Sequence, residues 1–159
     1  MKYFGQKSLS SVLSVLFAVA WYVILVFGVV GLCVGFYLIA ASSGQNPADW
    51  GADMQGEDWE HFSQMPGVFK MVFFVYGAVL LGLILKIVKK SQALFSNFKN
   101  DLVFDQANVT NLSNIGKLMV WFAVLTLNIF TLFVSLLLLM LCEIFKSGAT
   151  LQEEHDLTV

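Results

Sequence analysis

Thirty consecutive residues, Val12 to Ala41, carry no charge. A helix needs about 20 apolar residues to cross the hydrocarbon core of a bilayer, so this run has room to tilt or to extend past the headgroups. Lys2 and Lys7 ahead of it, with Ala18-Val19-Ala20 inside it, have the outline of a signal peptide. The apolar run continues about twenty residues past that point, too far for an h-region of about 7–15 residues. The expectation is an uncleaved first span over about residues 12–41.

Two more apolar segments follow. Val68 to Val88 holds MVFFVYGAVLLGLIL uncharged between Lys70 and Lys86. Those fifteen residues reach only about 22 Å as helix, so both lysines must snorkel from the ends of a span placed at about 67–90. Leu118 to Cys142 contains no charge, Pro or Gly, and Asn128 is its one strongly polar residue. Two crossings would need about 34 residues plus a turn, so length favours one tilted helix over about 115–145. The chain therefore reads as a single all-α integral membrane domain, 1–159, with three transmembrane helices. The alternative is four, with the third apolar segment folded as a short hairpin. Composition agrees: 58% of residues are hydrophobic and 13% charged, where a soluble domain is nearer a quarter charged.

Between the spans lie an acidic outer loop at 42–66, a loop at 91–114, and a polar tail at 146–159. With three crossings, seven lysines (Lys2, Lys7, Lys86, Lys89, Lys90, Lys99 and Lys117) share one side, and Lys70 and Lys146 the other. Lysine excess marks the cytoplasmic face, which places the N-terminus and the 91–114 loop inside and the tail outside. In the inner loop, Leu94, Phe95, Phe98 and Leu102 form a weak helical pattern. Asp105 is placed to cap a new helix through its carboxylate, and Val109, Leu112 and Ile115 line one face of it. Gly148 reads as a helix stop.

Close packing of the spans has its own candidates. Gly28, Gly31 and Gly35 lie on or near one helical face, and Ala78-x-x-x-Gly82 offers a second small-residue pair. Small residues let membrane helices approach. Asn128 is expected to bond to a neighbouring helix or back to its own turn.

Little chemistry is visible. All nine basic residues are lysine, which argues against a direct nucleic-acid surface, where arginine has the geometric advantage. Cys33 and Cys142 sit in separate apolar runs and read as small hydrophobes. His61 stands among acidic residues of the outer loop, but the spacing matches no calcium loop. No Ser/His pair, HExxH or intramembrane aspartate pair occurs, so no catalytic residue, cofactor or metal is expected. The apolar cores lack ionisable residues, and three spans could line a path for polar solutes only by oligomerising.

Phe104-Asp105-x-x-Asn108-Val109-x-x-Leu112-x-x-Ile115-Gly116 resembles the loop of a bacterial family of small membrane proteins, domain of unknown function twenty-nine seventy-five, the YoaS-like proteins. The ending, Glu143-Ile144-Phe145-Lys146-x-Gly148-x-x-Leu151-x-Glu153-Glu154-x-Asp156-Leu157-Thr158-Val159, resembles that family's acidic DLTV-type tail. The resemblance covers roughly the last half of the chain. It implies the bacterial inner membrane, four spans, both ends cytoplasmic, and a small helix-turn-helix regulator as neighbour, but no established activity. Here there is room for only one span between the loop motif and the tail, so length puts the tail outside and the family pattern puts it inside. The functional expectation is a non-enzymatic sensor or tether for that regulator; the alternative is an oligomeric transporter or channel component. Expected partner contacts are Phe104, Asp105, Asn108 and Leu112 in the loop, and Glu153, Glu154, Asp156, Leu157 and Val159 in the tail. A free Leu157-Thr158-Val159 end also fits capture by β-strand addition.

Overall fold

The computed structural model describes residues 8–42, 57–100 and 102–157, with the side chains of 57–59 and 152–157 outside that description. Among these residues the elements are helices: α1 (Leu9–Ser42), α2 (Glu57–Gln64), α3 (Gly67–Lys99), α4 (Gln106–Thr126) and α5 (Ile129–Leu157). Three helices are long and apolar enough to cross a membrane, namely α1, α3 and the Ile129–Leu151 part of α5. The protein is a multi-pass, all-α membrane protein. The chain expected as one domain divides into two compact units, Leu25–Leu81 and the rest (Met1–Ile24 with Gly82–Val159). α1 and α3 contribute to both, because 33 or 34 residues make a helix of about 50 Å, well beyond the thickness of a hydrocarbon core.

In the Leu25–Leu81 unit, α1 and α3 meet in one antiparallel register. Leu81 packs against Gly28, and Phe74 lies opposite Gly35, where a β-carbon would stand 3.7 Å from its ring. The seven-residue spacing keeps both glycines on one face. Gly31 and Gly82, expected at the same interface, face open space, with nothing within 4 Å of a β-carbon built at either; Gly82 directly follows Leu81 and so points about 100° away from it around α3. Bulky α3 side chains therefore face Gly28 and Gly35 of α1, while neither Gly31 nor Gly82 meets a neighbour. At the end of this unit Lys70 is only 5% exposed. Its ammonium donates to Ser42 Oγ (2.9 Å) and the Ser63 carbonyl (3.1 Å), and lies 5.1 Å from the centre of the Phe62 ring. One charge thus ties together the end of α1, the end of α2 and the start of α3.

In the other unit α3 does not stop at the membrane lysines. With no Gly or Pro to break it, the helix runs on to Lys99, so the described part of the stretch expected as a loop at 91–114 is helical except for residues 100 and 102–105. Its continuation is held by burial: Leu94 joins Val109, Leu112, Ile115, Cys142 and Ala149 in one core, flanked by Phe98, Met119, Leu138 and Phe145. Phe95 stacks on Phe17 of α1 at 5.3 Å.

The third apolar segment is divided. Leu127 adopts the left-handed conformation (φ 51°), its N–H donating to the Val124 carbonyl (3.3 Å) and that of Asn128 to the Ala123 carbonyl (3.0 Å). This is a Schellman closure with leucine where glycine is usual. Asn128 then starts α5, its Oδ1 accepting the Thr131 N–H at 2.9 Å. One polar residue in a long apolar run thus ends one helix and caps the next, and the single continuous helix expected over 115–145 becomes an antiparallel pair. Asn128 bonds to its own turn, not to a neighbouring span. Close packing follows: a β-carbon at Gly116 would lie 2.6 Å from Leu139 Cδ2, and the Cys142 thiol donates to the Val109 carbonyl at 3.4 Å.

Candidate functional site

The hairpin brings the two motif-bearing segments to one end of the same unit. Phe104, in the connection before α4, lies 5.5 Å from Phe145 of α5 between ring centres, and Phe145 stacks on Phe98 of α3 at 6.1 Å. Gly148 faces the Phe104 ring, with Cδ1 only 2.6 Å from where a β-carbon would be. Gly148 was expected to stop the helix. Instead α5 passes through it to Leu157, and its missing side chain admits the aromatic ring. The expected separation of loop and tail on opposite faces does not fit this contact.

The connection itself is held by an amide network. Asn108 is 0% exposed. Its Nδ2 donates to the carbonyls of Leu102 (2.5 Å) and Val103 (3.1 Å), and its Oδ1 accepts from Asn97 Nδ2 (2.7 Å). A buried amide is favourable only with its partners supplied, and here they are the carbonyls of a tight connection that lacks a ladder of its own. Asp105 precedes α4 in extended conformation, yet its side chain makes no cap bond; its carbonyl alone accepts from the N–H groups of Asn108 (2.8 Å) and Val109 (3.2 Å). Lys90 Nζ reaches Asn111 Oδ1 at 3.3 Å, a second tie between α3 and α4.

The expected partner contacts therefore separate. Asn108 and Leu112 (4% exposed) are interior and hold the fold, because the Val109, Leu112, Ile115 face turns onto α5 and α3. Phe104 is 44% exposed, Asp105 is half-buried, and Leu102 and Leu151 are exposed. The backbone of Glu153, Glu154, Asp156 and Leu157 continues α5; their side chains, and Val159 entirely, lie outside the described residues. Gly148, read from the sequence as a helix stop, is the neighbour of the loop motif that only the fold reveals. Among the described residues no three His, Cys, Asp or Glu side chains gather as a metal site. Comparisons with protein-family models, curated proteins and solved structures found no match.

Proposed function

We propose that the protein is a non-enzymatic sensor or tether of the bacterial inner membrane, presenting one cytoplasmic surface to a small helix-turn-helix regulator. The observation that supports it is the packing of Phe104 on Phe145 and Gly148, which makes one surface of the two segments that resemble family motifs. Leu102, two residues before Phe104, and Leu151, three residues past Gly148 on α5, are exposed. The hairpin also sharpens the charge asymmetry. With the end of α5 beside the start of α4, Lys146 joins Lys2, Lys7, Lys86, Lys89, Lys90, Lys99 and Lys117, and Lys70 alone remains opposite. Eight lysines to one orient that face toward the cytoplasm, and Lys70 is engaged by Ser42 and Ser63.

The test is affinity capture of the tagged full chain from a detergent extract, with captured proteins identified by mass. A helix-turn-helix protein is expected with the native chain and at least tenfold less with L151D, whose side chain is exposed and leaves the core alone. Equal recovery with L151D and L102D, or recovery of no such regulator, overturns the reading.

A further inference from the structure

The turn between α4 and α5 presents an apolar tip: Leu127, Ile129 and Phe130 are 86%, 83% and 76% exposed. Trp121, Val124 and Phe133 behind them are exposed as well. Water is a poor neighbour for such a cluster, so the tip belongs in lipid. How deep it reaches is limited by the first exposed charge behind it on each helix. On α4 that is Lys117, ten residues before Leu127 and so about 15 Å back along the helix. On α5 it is Glu143, fourteen residues after Ile129, or about 21 Å. The hydrocarbon core measures about 30 Å.

Neither helix can go deeper alone. Leu139 is seated against Gly116 and the Cys142 thiol on the Val109 carbonyl, so α5 carries α4 with it. Pushing the tip to the far surface would draw Lys117 to about mid-bilayer, the costliest depth for an exposed charge, and Asn111 and Asn114 would follow it in. α5 has the length and composition to cross by itself; its register with α4 sets the depth.

We infer that α4–α5 is a re-entrant hairpin whose tip, Leu127–Phe130, ends among acyl chains, and that its ligand is the lipid of the leaflet next to Lys86–Lys99. The inference needs only that α1 and α3 cross, and stands apart from the regulator reading.

The experiment is thiol accessibility in sealed proteoliposomes of the full chain with C33A and C142S, the serine keeping a donor for the Val109 carbonyl. T110C, on the exposed face of α4, reports the face holding the start of the hairpin, and L127C and F130C report the tip. A membrane-impermeant maleimide is applied outside, then from both sides, then after detergent. T110C is expected to react from one face. L127C and F130C are expected to react less than one-tenth as much from either face, and fully in detergent. Reaction of either tip thiol from the face opposite T110C means a full crossing; reaction from the same face means the tip lies outside the bilayer. Either result overturns the inference, as does a tip thiol that stays unreactive in detergent, because it would be buried in protein rather than in lipid.

Discussion

The Phe104 ring occupies the place that a side chain on Gly148 would need: a β-carbon there would stand 2.6 Å from Cδ1 and 2.8 Å from Cε1. The same ring packs on Phe145, so the contact joins the connection before α4 to the last third of α5. Gly148→Leu should push the ring out and lower stability by about 1–3 kcal/mol, the usual cost of overpacking, read as a lower melting temperature in detergent. Phe104→Ala in the same chain should remove most of that penalty. If the two effects simply add, the contact does not carry the coupling.

Asn108 is the residue on which the connection before α4 depends, through Leu102 and Val103. Replacing it by leucine would leave the carbonyls of Leu102 and Val103 and the amide of Asn97 without their partner. Each buried unsatisfied group costs about 1–3 kcal/mol, so Asn108→Leu is expected to lose several kcal/mol. Asn97→Ala should lose less, about 1–3 kcal/mol, since it leaves only Asn108 Oδ1 unpaired and Asn108 keeps its two carbonyls. Denaturation of the purified variants checks the order; equal losses would contradict it.

These two relationships show what sequence made legible. The Val109, Leu112, Ile115 spacing marked the inner face of α4, and the long uncharged runs marked α1 and α3, because periodicity and hydropathy are local signals. The place of the break at Leu127 was not legible, since leucine in the left-handed conformation has no local signature; length favoured one helix over 118–142, with the hairpin only as the alternative. The role of Gly148 was hidden for a different reason. Glycine late in a helix reads as a stop, and only the tertiary placement of Phe104 shows that it admits a ring. Likewise Asn108 in a surface-like motif resembles a contact residue until its 0% exposure is known.

Leu127 holds φ 51° and ψ 35°, where a side chain costs about 1–2 kcal/mol relative to glycine. Leu127→Gly is expected to stabilise the hairpin by about 1 kcal/mol, and Asn128→Ala to destabilise it by about 1 kcal/mol through loss of the cap on Thr131. Opposite shifts of the melting temperature at adjacent positions are the signature. A continuous helix would respond in reverse, losing stability with glycine and gaining it with alanine.

Lys70 ties α2 to the long helices through Ser42 and Ser63. Lys70→Met keeps most of the side-chain volume and removes the ammonium. Hydrogen bonds to a charged group contribute about 1.5–3 kcal/mol, so amides of α2 should exchange with solvent at least tenfold faster. Amides in the middle of α3 should be unchanged. Unaltered exchange across 60–64 would show that the clamp does not hold α2.

The glycines of α1 give a sharper contrast. A side chain at Gly28 would collide with Leu81, whereas one at Gly31 meets nothing within 4 Å, though both belong to the same apparent small-residue stripe. Gly28→Leu should therefore separate α1 from α3 and cost about 1–3 kcal/mol. Gly31→Leu should be neutral or mildly stabilising, because a lipid-facing leucine is a better helix former than glycine by about 0.8 kcal/mol. Melting of the two variants in the same detergent decides between the interfaces. Equal destabilisation would mean that Gly31 is covered too, and a Gly31-specific loss that varies with protein concentration would assign that face to a second copy of the chain.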